Sequence, residues 1–229
     1  MRPSRPRTSV STRPRAHRPV TQESETGARP SARDTILALA MEVLDRQGEV
    51  AIRVNHLAEQ AGVTPPTLYR HFGSRDGLVV AAQAERYARS LRATIDDAAL
   101  RLLACTCQPD VRACIAGIFA SYGTTEGSRR RRERLNVLGG AYARPELEMA
   151  IARAQRDANR GVVALVENFK SRGLAASDVD AHAFAYWMTG MILGRTLIEL
   201  EGSDVDGDSW DRLAVDAVCA ALFGGRGAS

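Results

Sequence analysis

Hydroxyl, aromatic and basic side chains are concentrated in one short stretch of this chain, residues 64–71, TPPTLYRH. Hydroxyl groups and arginine suit phosphate oxygens, whereas arginine and histidine hydrogen-bond to the edges of bases. The chemistry that these residue types favour is therefore recognition of nucleic acid. No nucleophile elbow, phosphate-binding loop or HExxH motif occurs in the sequence, so an enzyme is the less favoured alternative.

Two short helices joined by a tight turn are predicted to position these side chains. Apolar residues recur at helical spacing from Val54 to Ala61, and Gly62 follows where a helix ends in a left-handed conformation. A second helix starts after Thr64, whose hydroxyl is expected to accept a hydrogen bond from the backbone N–H of Thr67. Helices crossed in this way place the second helix in the major groove of DNA.

The second helix is predicted to have one buried and one outward side. Leu68 and Phe72 are four residues apart and should face inward, so Pro66 and Arg70 point most directly outward. A new helix is expected from Arg75 onward.

The stretch from residue 33 to residue 80 resembles the N-terminal domain of the TetR family of bacterial transcription regulators. The residues that carry the resemblance are Ile36, Leu37, Ala40, Gly48, Leu57, Ala58, Ala61, Gly62, Val63, Thr64, Thr67, Leu68, Tyr69, His71, Phe72, Ser74, Arg75, Asp76 and Leu78. The resemblance implies a set of DNA-binding residues, in which Arg75 holds a backbone phosphate: Arg53, Asn55, Thr64, Pro65, Pro66, Thr67, Tyr69, Arg70, His71 and Arg75. Arg53 stands where the family usually has threonine, so both a phosphate contact and a solvated side chain stay open for it.

The expected fold class is all-α, in three parts. An Arg/Pro-rich tail at 1–30 should be disordered, a three-helix helix-turn-helix domain occupies 31–78, and a helical ligand-binding and dimerisation domain occupies 79–229. Residues 1–33 carry a net charge of +6 against +4 for the whole chain, so the tail is either a solvated leader or an arm that contacts DNA. Helical periodicity from Arg75 onward predicts helices at 75–104, 110–122, 129–143, 145–171, 178–200 and 209–223, with a loop at 123–128.

The resemblance also implies a small-molecule effector and a homodimer. The polar and aromatic candidates for lining an effector pocket are Tyr122, Tyr142, Arg144, His182 and Trp187, although ordinary packing is open for each. The helix at 178–200 has two apolar sides, and glycines four apart allow another helix to approach closely. The predicted dimer interface comprises Phe184, Trp187, Met188, Gly190, Met191, Gly194, Ile198, Leu213 and Ala217.

Several further features bound the interpretation. The run 129–132 with Arg134 is predicted to be a solvated helix start that frays, because its charges oppose the helix dipole. Three cysteines, Cys105, Cys107 and Cys114, keep a metal- or redox-sensing regulator open as an alternative. No cofactor or resident metal is predicted. The sequence lacks an apolar run of about eighteen residues and an apolar signal stretch, so a cytoplasmic protein is expected.

The sequence therefore predicts a homodimeric, sequence-specific DNA-binding regulator. Its expected behaviour is that of a repressor released from a palindromic operator when a small-molecule effector binds.

Overall fold

A computed structural model describes residues 30–200 and 204–224 of the chain. Those residues form α-helices and two 3₁₀ turns, at Glu49–Ala51 and Arg195–Glu199. The helices are α1 (Ala32–Gln47), α2 (Val54–Gln60), α3 (Pro65–Phe72), α4 (Arg75–Leu103), α5 (Gln108–Tyr122), α6 (Thr125–Ala141), α7 (Pro145–Ser171), α8 (Ala181–Gly194) and α9 (Gly207–Phe223). The all-α prediction is confirmed. The predicted tail lies outside the described residues, apart from its last position.

The first three helices and the start of α4 enclose a small apolar core of their own. Ser31 caps α1 by accepting a hydrogen bond from the Asp34 N–H, and Ser74 caps α4 by accepting one from the Gly77 N–H. The buried core residues are Ile36, Ala40, Met41, Leu44, Ile52, Leu57, Ala58, Leu68, Leu78, Val79 and Ala82. Because α4 contributes to this core and then continues for several turns, it joins the N-terminal unit to the rest of the chain.

The larger unit packs around α4 and α7, which lie against each other along much of their length. Helix α5 packs on α9, and α8 packs on α7. Its main core includes Val111, Phe119, Val166, Phe169 and Val218, which are almost fully buried. No helix in the described ranges is both long and apolar enough to cross a membrane.

Two boundaries in the second unit differ from the predictions. Helix α6 begins at Thr125 rather than near Arg129, because Thr124 caps it by accepting a hydrogen bond from the Gly127 N–H at 3.1 Å. Only residues 123–124 of the predicted loop remain non-helical. Helix α8 begins at Ala181, where Asp180 accepts two backbone N–H hydrogen bonds, and its last predicted turn is a 3₁₀ turn.

The prediction of a frayed, solvated start for α6 is wrong in part, since Arg129 and Arg132 are exposed but the run does not begin the helix. The Glu126 carboxylate accepts hydrogen bonds from Arg129 and Arg130, so an acid in the first turn offsets the charges that oppose the helix dipole. Two other arginines are buried, Arg131 at 0% exposure and Arg134 at 5%. They are buried because α6 packs against α5, α4 and the 3₁₀ turn at Arg195–Glu199.

Candidate nucleic-acid interface and internal cavity

The turn between α2 and α3 fixes the angle at which α3 leaves the domain. Gly62 has φ of 66°, the left-handed region that glycine adopts without a steric penalty. The Val63 N–H then bonds back to the Ala58 carbonyl at 2.9 Å, which closes α2. Leu57 and Leu68 are fully buried on either side of the turn. These anchors leave the opposite side of α3 facing outward.

The outward side of α3 presents Pro66, Tyr69 and Arg70, all of them exposed. Tyr69 is 44% exposed, and within the described residues neither it nor Arg70 has a hydrogen bond or ion pair. Such side chains keep their full hydrogen-bonding capacity for another molecule. Of the other predicted contacts, Asn55 and Thr64 are exposed, whereas Pro65, Thr67 and His71 are half-buried on the flanks of the same helix.

Thr64 starts α3 without the predicted cap. Its hydroxyl lies 3.1 Å from the Thr67 hydroxyl, whereas the Thr67 N–H donates to the Thr64 carbonyl oxygen at 3.0 Å. The backbone bond occupies the N–H that the cap was expected to use, and the two prolines between them have no N–H to offer. The two hydroxyls therefore form a pair at the exposed N-terminus of α3.

Two predicted phosphate-binding arginines have partners within the protein. Arg53 donates from Nη1 to the Val50 carbonyl at 2.7 Å, although its side chain is otherwise exposed. Arg75 donates from Nε to the Ile52 carbonyl at 3.1 Å and from Nη2 to the Glu49 carbonyl at 2.6 Å. Two of its three nitrogens therefore hold the turn that precedes α2, which gives Arg75 a positioning role, and its contact with phosphate stays a prediction.

Arg144 also occupies a different place from the one predicted. It donates from Nη1 to a Glu49 carboxylate oxygen at 2.8 Å, and its Nη2 lies 3.2 Å from an Asp76 carboxylate oxygen. The hydrogen bond from Arg144 is the largest influence on Glu49, and it lowers the pKa of that carboxyl group. Arg144 therefore ties the turn between α6 and α7 to the N-terminal unit, and it is not one of the residues that line the internal cavity of the larger unit.

An internal cavity of about 150 Å³ lies between α4, α5, α7 and α8. Most of its lining is apolar, for example Leu91, Ile118 and Phe169. Helix α4, which begins directly after the exposed helix α3, supplies one wall.

One of the five predicted lining residues, Tyr122, borders this cavity. Tyr142 is 97% exposed, and His182 and Trp187 are also exposed, so their assignment to this cavity is wrong. The Trp187 ring instead packs on the outer side of α8, 6.0 Å from the ring of Phe184.

The polar lining that sequence reasoning missed consists mainly of one network. The Tyr87 hydroxyl donates to Gln155 at 2.9 Å, and the Gln155 amide donates to Asn159 at 2.9 Å and to Thr189 at 3.2 Å. Arg134 also lines the cavity. Gln155 and Asn159 are four residues apart beside the apolar stripe of α7, and that spacing was the available signal.

The predicted dimer residues divide between two sides of α8 and α9. Phe184 and Met188 line the cavity, and their place in a dimer interface stays a prediction. They are four residues apart and turn inward together, whereas Trp187, Gly190 and Leu213 are exposed. The remaining predicted interface residues are half-buried: Met191, Gly194, Ile198 and Ala217.

The cysteines do not favour the sensing alternative. Cys105 and Cys219 are buried, Cys114 is half-buried and Cys107 is exposed, all as free thiols. Burial raises the pKa of both Cys105 and Cys219, opposite to the shift that makes a thiol reactive. Within the described part of the chain, no group of three histidine, cysteine or acidic residues is placed to hold a metal ion.

The sequence and the fold are similar to those of known transcriptional regulators. The sequence profile described as "Bacterial regulatory proteins, tetR family" matches residues 36–82, which contain α2, α3 and the turn between them. Residues 36–82 are thus similar to the DNA-binding domain of the TetR family of transcriptional regulators. The chain is also 28% identical to an HTH-type transcriptional regulator of Mycobacterium tuberculosis, over 88% of this chain and 85% of the relative.

Solved structures share the fold of the regulator at lower identity. A TetR-family regulator from Rhodococcus sp. is 20% identical with a TM-score of 0.60, over 83% of this chain and 98% of that one. The regulator FadR from Bacillus subtilis, solved in complex with stearoyl-CoA, is 15% identical with a TM-score of 0.53, over 82% and 98% of the two chains. These similarities extend the common fold from the DNA-binding domain to the helices around the cavity.

Proposed function

We propose that the regulator is a homodimeric repressor that binds a palindromic operator and leaves it when a small molecule occupies the internal cavity. The observation that carries this proposal is the position of α4. Only two residues separate this helix from the exposed helix α3, and further along it supplies the cavity residues Tyr87, Leu91 and Leu102. A ligand that displaces α4 would therefore move α3.

The proposed DNA contacts are made by α3 and the start of α2. The exposed side chains of Asn55, Pro66, Tyr69 and Arg70 would meet the major groove, and the threonine pair at the start of α3 would meet phosphates. The proposed activity is thus binding rather than catalysis, in the compartment that holds the chromosome, the cytoplasm.

Replacing Arg70 by alanine should weaken specific DNA binding by about 1–3 kcal/mol, the usual loss for an arginine that reads a base edge. Arg70 has no partner among the described residues, so the free energy of unfolding should stay unchanged. Fluorescence anisotropy with a selected operator and a scrambled duplex measures both affinities. Arg156→Ala, at an exposed arginine of α7, is the matched control. Equal affinity of Arg70→Ala and wild type for the operator would remove Arg70 from the interface.

The exposed outer side of α8 and α9 is the proposed dimer surface. Leu213 on α9 is 68% exposed, and Trp187 and Gly190 on α8 are exposed as well. Pairing with a second copy would bury this apolar surface and place two α3 helices about 34 Å apart, one turn of DNA.

Leu213→Glu should convert the dimer to a monomer and greatly weaken operator binding, because the new carboxylates would be buried against apolar surface. Sedimentation equilibrium at micromolar protein measures the mass. Leu100→Glu is the control, since Leu100 on α4 is similarly exposed at 73% but lies outside α8 and α9. A wild-type monomer, or a dimer that survives Leu213→Glu but not Leu100→Glu, would contradict this interface.

The cavity would take the effector. This proposal is supported by FadR of Bacillus subtilis, a protein of similar fold whose structure was solved in complex with stearoyl-CoA. In the present chain the two ion-paired contacts of Arg144, to Glu49 and Asp76, would transmit movement of the larger unit to the N-terminal unit.

A mobility-shift assay on the DNA upstream of the protein's own gene tests the function directly. Binding that prefers a palindrome in that region over random DNA at physiological salt is the expected result. Equal binding to both would overturn the proposal. A ligand screen on the bound complex then tests release.

A further inference from the structure

Arg134 places a positive charge without an ion-pair partner in the wall of the cavity. It is 5% exposed, and it is the one charged side chain among the described residues that line the cavity. Within the described part of the chain it makes no ion pair, and its Nε has no hydrogen-bond partner. Burial lowers the pKa of Arg134, as expected for a cation withdrawn from water. Arginine nevertheless stays protonated in proteins.

The neighbouring buried arginine, Arg131, differs from Arg134 in having a carboxylate close to it. Arg131, one turn earlier on α6, is fully buried but forms an ion pair with Glu199, and its guanidinium lies over the ring of Tyr122. None of its nitrogens makes a hydrogen bond of normal geometry, so the contact with Glu199 is best described as electrostatic. Among the described residues, a carboxylate is therefore in ion-pair contact with Arg131, whereas Arg134 has no such contact and, of the carboxylates, only the more distant charge of Glu133 favours its protonated form.

The second unpartnered polar atom in the cavity wall is also a hydrogen-bond donor. Asn159 is 4% exposed, and its carbonyl oxygen accepts from Gln155 at 2.9 Å and from Thr189 at 3.3 Å. Its amide nitrogen Nδ2 has no partner. Both unpartnered atoms in the lining, Arg134 Nε and Asn159 Nδ2, thus need an acceptor. A donor left unsatisfied in an apolar interior is costly, and an unpaired charge more so.

We propose that the cavity binds a small carboxylic acid with an apolar body, whose carboxylate accepts hydrogen bonds from Arg134 and Asn159. A guanidinium matches a carboxylate with two parallel hydrogen bonds, and the pairing would neutralise the buried charge. The apolar body would lie against Leu91, Phe119 and Phe169. Cavities of about 150 Å³ accept benzene-sized molecules, so compact or short-chain acids fit best. The assignment of this ligand as the effector rests on the proposed function, whereas its binding does not.

The two tryptophans of the chain report on the cavity. Trp210 is 6.3 Å from the ring of Phe119 and Trp187 is 6.0 Å from the ring of Phe184, and both phenylalanines line the cavity. Hexanoate, octanoate and decanoate would be titrated into the DNA-free dimer, with tryptophan fluorescence and calorimetry as readouts. Octanol, octylammonium and octanoyl-CoA are the matched probes, because they keep the chain and replace the free carboxylate.

We expect octanoate to bind roughly 10- to 100-fold more tightly than octanol, as a hydrogen-bonded charge requires, and octylammonium not to bind. Arg134→Met should abolish this preference and leave octanol binding unchanged. Arg134→Lys should retain part of it, because the charge stays but the planar fork is lost. Arg129→Met is the control, since Arg129 is an exposed arginine of the same helix that pairs with Glu126.

Thermal unfolding without ligand separates recognition from a structural role. Removing an unpaired buried charge should raise the unfolding midpoint of Arg134→Met, whereas a structural arginine would lower it on replacement. A lowered midpoint, an octanoate affinity that survives Arg134→Met, or tighter binding of octanol or octanoyl-CoA than of octanoate would each overturn the proposal. So would the failure of every carboxylate to bind. Carboxylate binding that leaves operator affinity unchanged would support this site and contradict only the proposed release.

Discussion

Replacing Arg195 by alanine should lower the free energy of unfolding by about 3–5 kcal/mol, the usual cost of leaving one half of a buried ion pair uncompensated. Arg195 is buried and donates from Nε and Nη2 to the two carboxylate oxygens of Asp211, at 2.7 and 3.1 Å. Its third nitrogen donates to Glu199 at 3.2 Å. Alanine would remove all three hydrogen bonds and leave the Asp211 carboxylate buried without its partner.

The size of this effect follows from the position of the pair. Arg195 lies just after α8 and Asp211 in the first turns of α9. Glu199, which accepts a hydrogen bond from Arg195, also forms an ion pair with Arg131 of α6. The pair therefore connects three helices of the larger unit. Urea denaturation followed by circular dichroism measures the loss.

Arg112→Ala is the matched control, because Arg112 and Asp216 form an exposed pair between α5 and α9. We expect its denaturation midpoint to equal that of wild type. The double replacement Arg195→Met with Asp211→Leu should recover stability, since no charge is then left buried. Similar midpoints for Arg195→Ala and Arg112→Ala would show that the buried pair contributes little.

Gly77→Ala should destabilise the N-terminal unit by about 3 kcal/mol, the upper end of the range for overpacking. A methyl group at Gly77 would overlap the carbonyl oxygen of Phe72 and lie 3.3 Å from its carbonyl carbon. Both atoms belong to the backbone at the end of α3, so no side-chain rotation relieves the clash. The substitution must push α3 away from α4, and operator affinity should fall with stability.

Gly139→Ala is the control for this substitution. Gly139 lies within α6, and an added methyl group there meets nothing within 4 Å. Alanine favours helix over glycine by about 1 kcal/mol, so this variant should be slightly more stable than wild type. Differential scanning calorimetry and anisotropy with the operator measure both variants. Wild-type operator affinity in Gly77→Ala would show that the junction of α3 and α4 tolerates the displacement.

The N-terminal domain could be predicted from sequence because its determinants are local. Leu57 and Leu68 are buried, Gly62 has a left-handed backbone and Ser74 caps α4. Each of these features depends on residues a few positions away in the sequence. Pattern rules describe interactions of that range. The predicted side-chain cap of Thr64 is wrong for an equally local reason, because the Thr67 N–H donates to the Thr64 carbonyl oxygen instead of the Thr64 hydroxyl.

The contacts of the larger domain could not be predicted in this way. Arg144 and Glu49 are 95 residues apart, and nothing near either one indicates the other. The arginine run of α6 looked uniform in sequence, yet packing buries Arg131 and Arg134 and gives an acid to only the first. Which arginine is left without a counter-charge depends on the tertiary arrangement of α6 against its neighbours.

The ion pairs between the two units also bear on how DNA affinity should be read. The ion pairs of Arg144 with Glu49, and of Arg86 with Asp45 at 2.7 Å, are partly exposed to solvent. Added salt therefore weakens them. The same ions compete with the protein for phosphates. The dependence of DNA affinity on salt concentration would then have two sources, the release of counterions from DNA and the weakening of these ion pairs. A number of phosphate contacts calculated from that dependence alone would be too high.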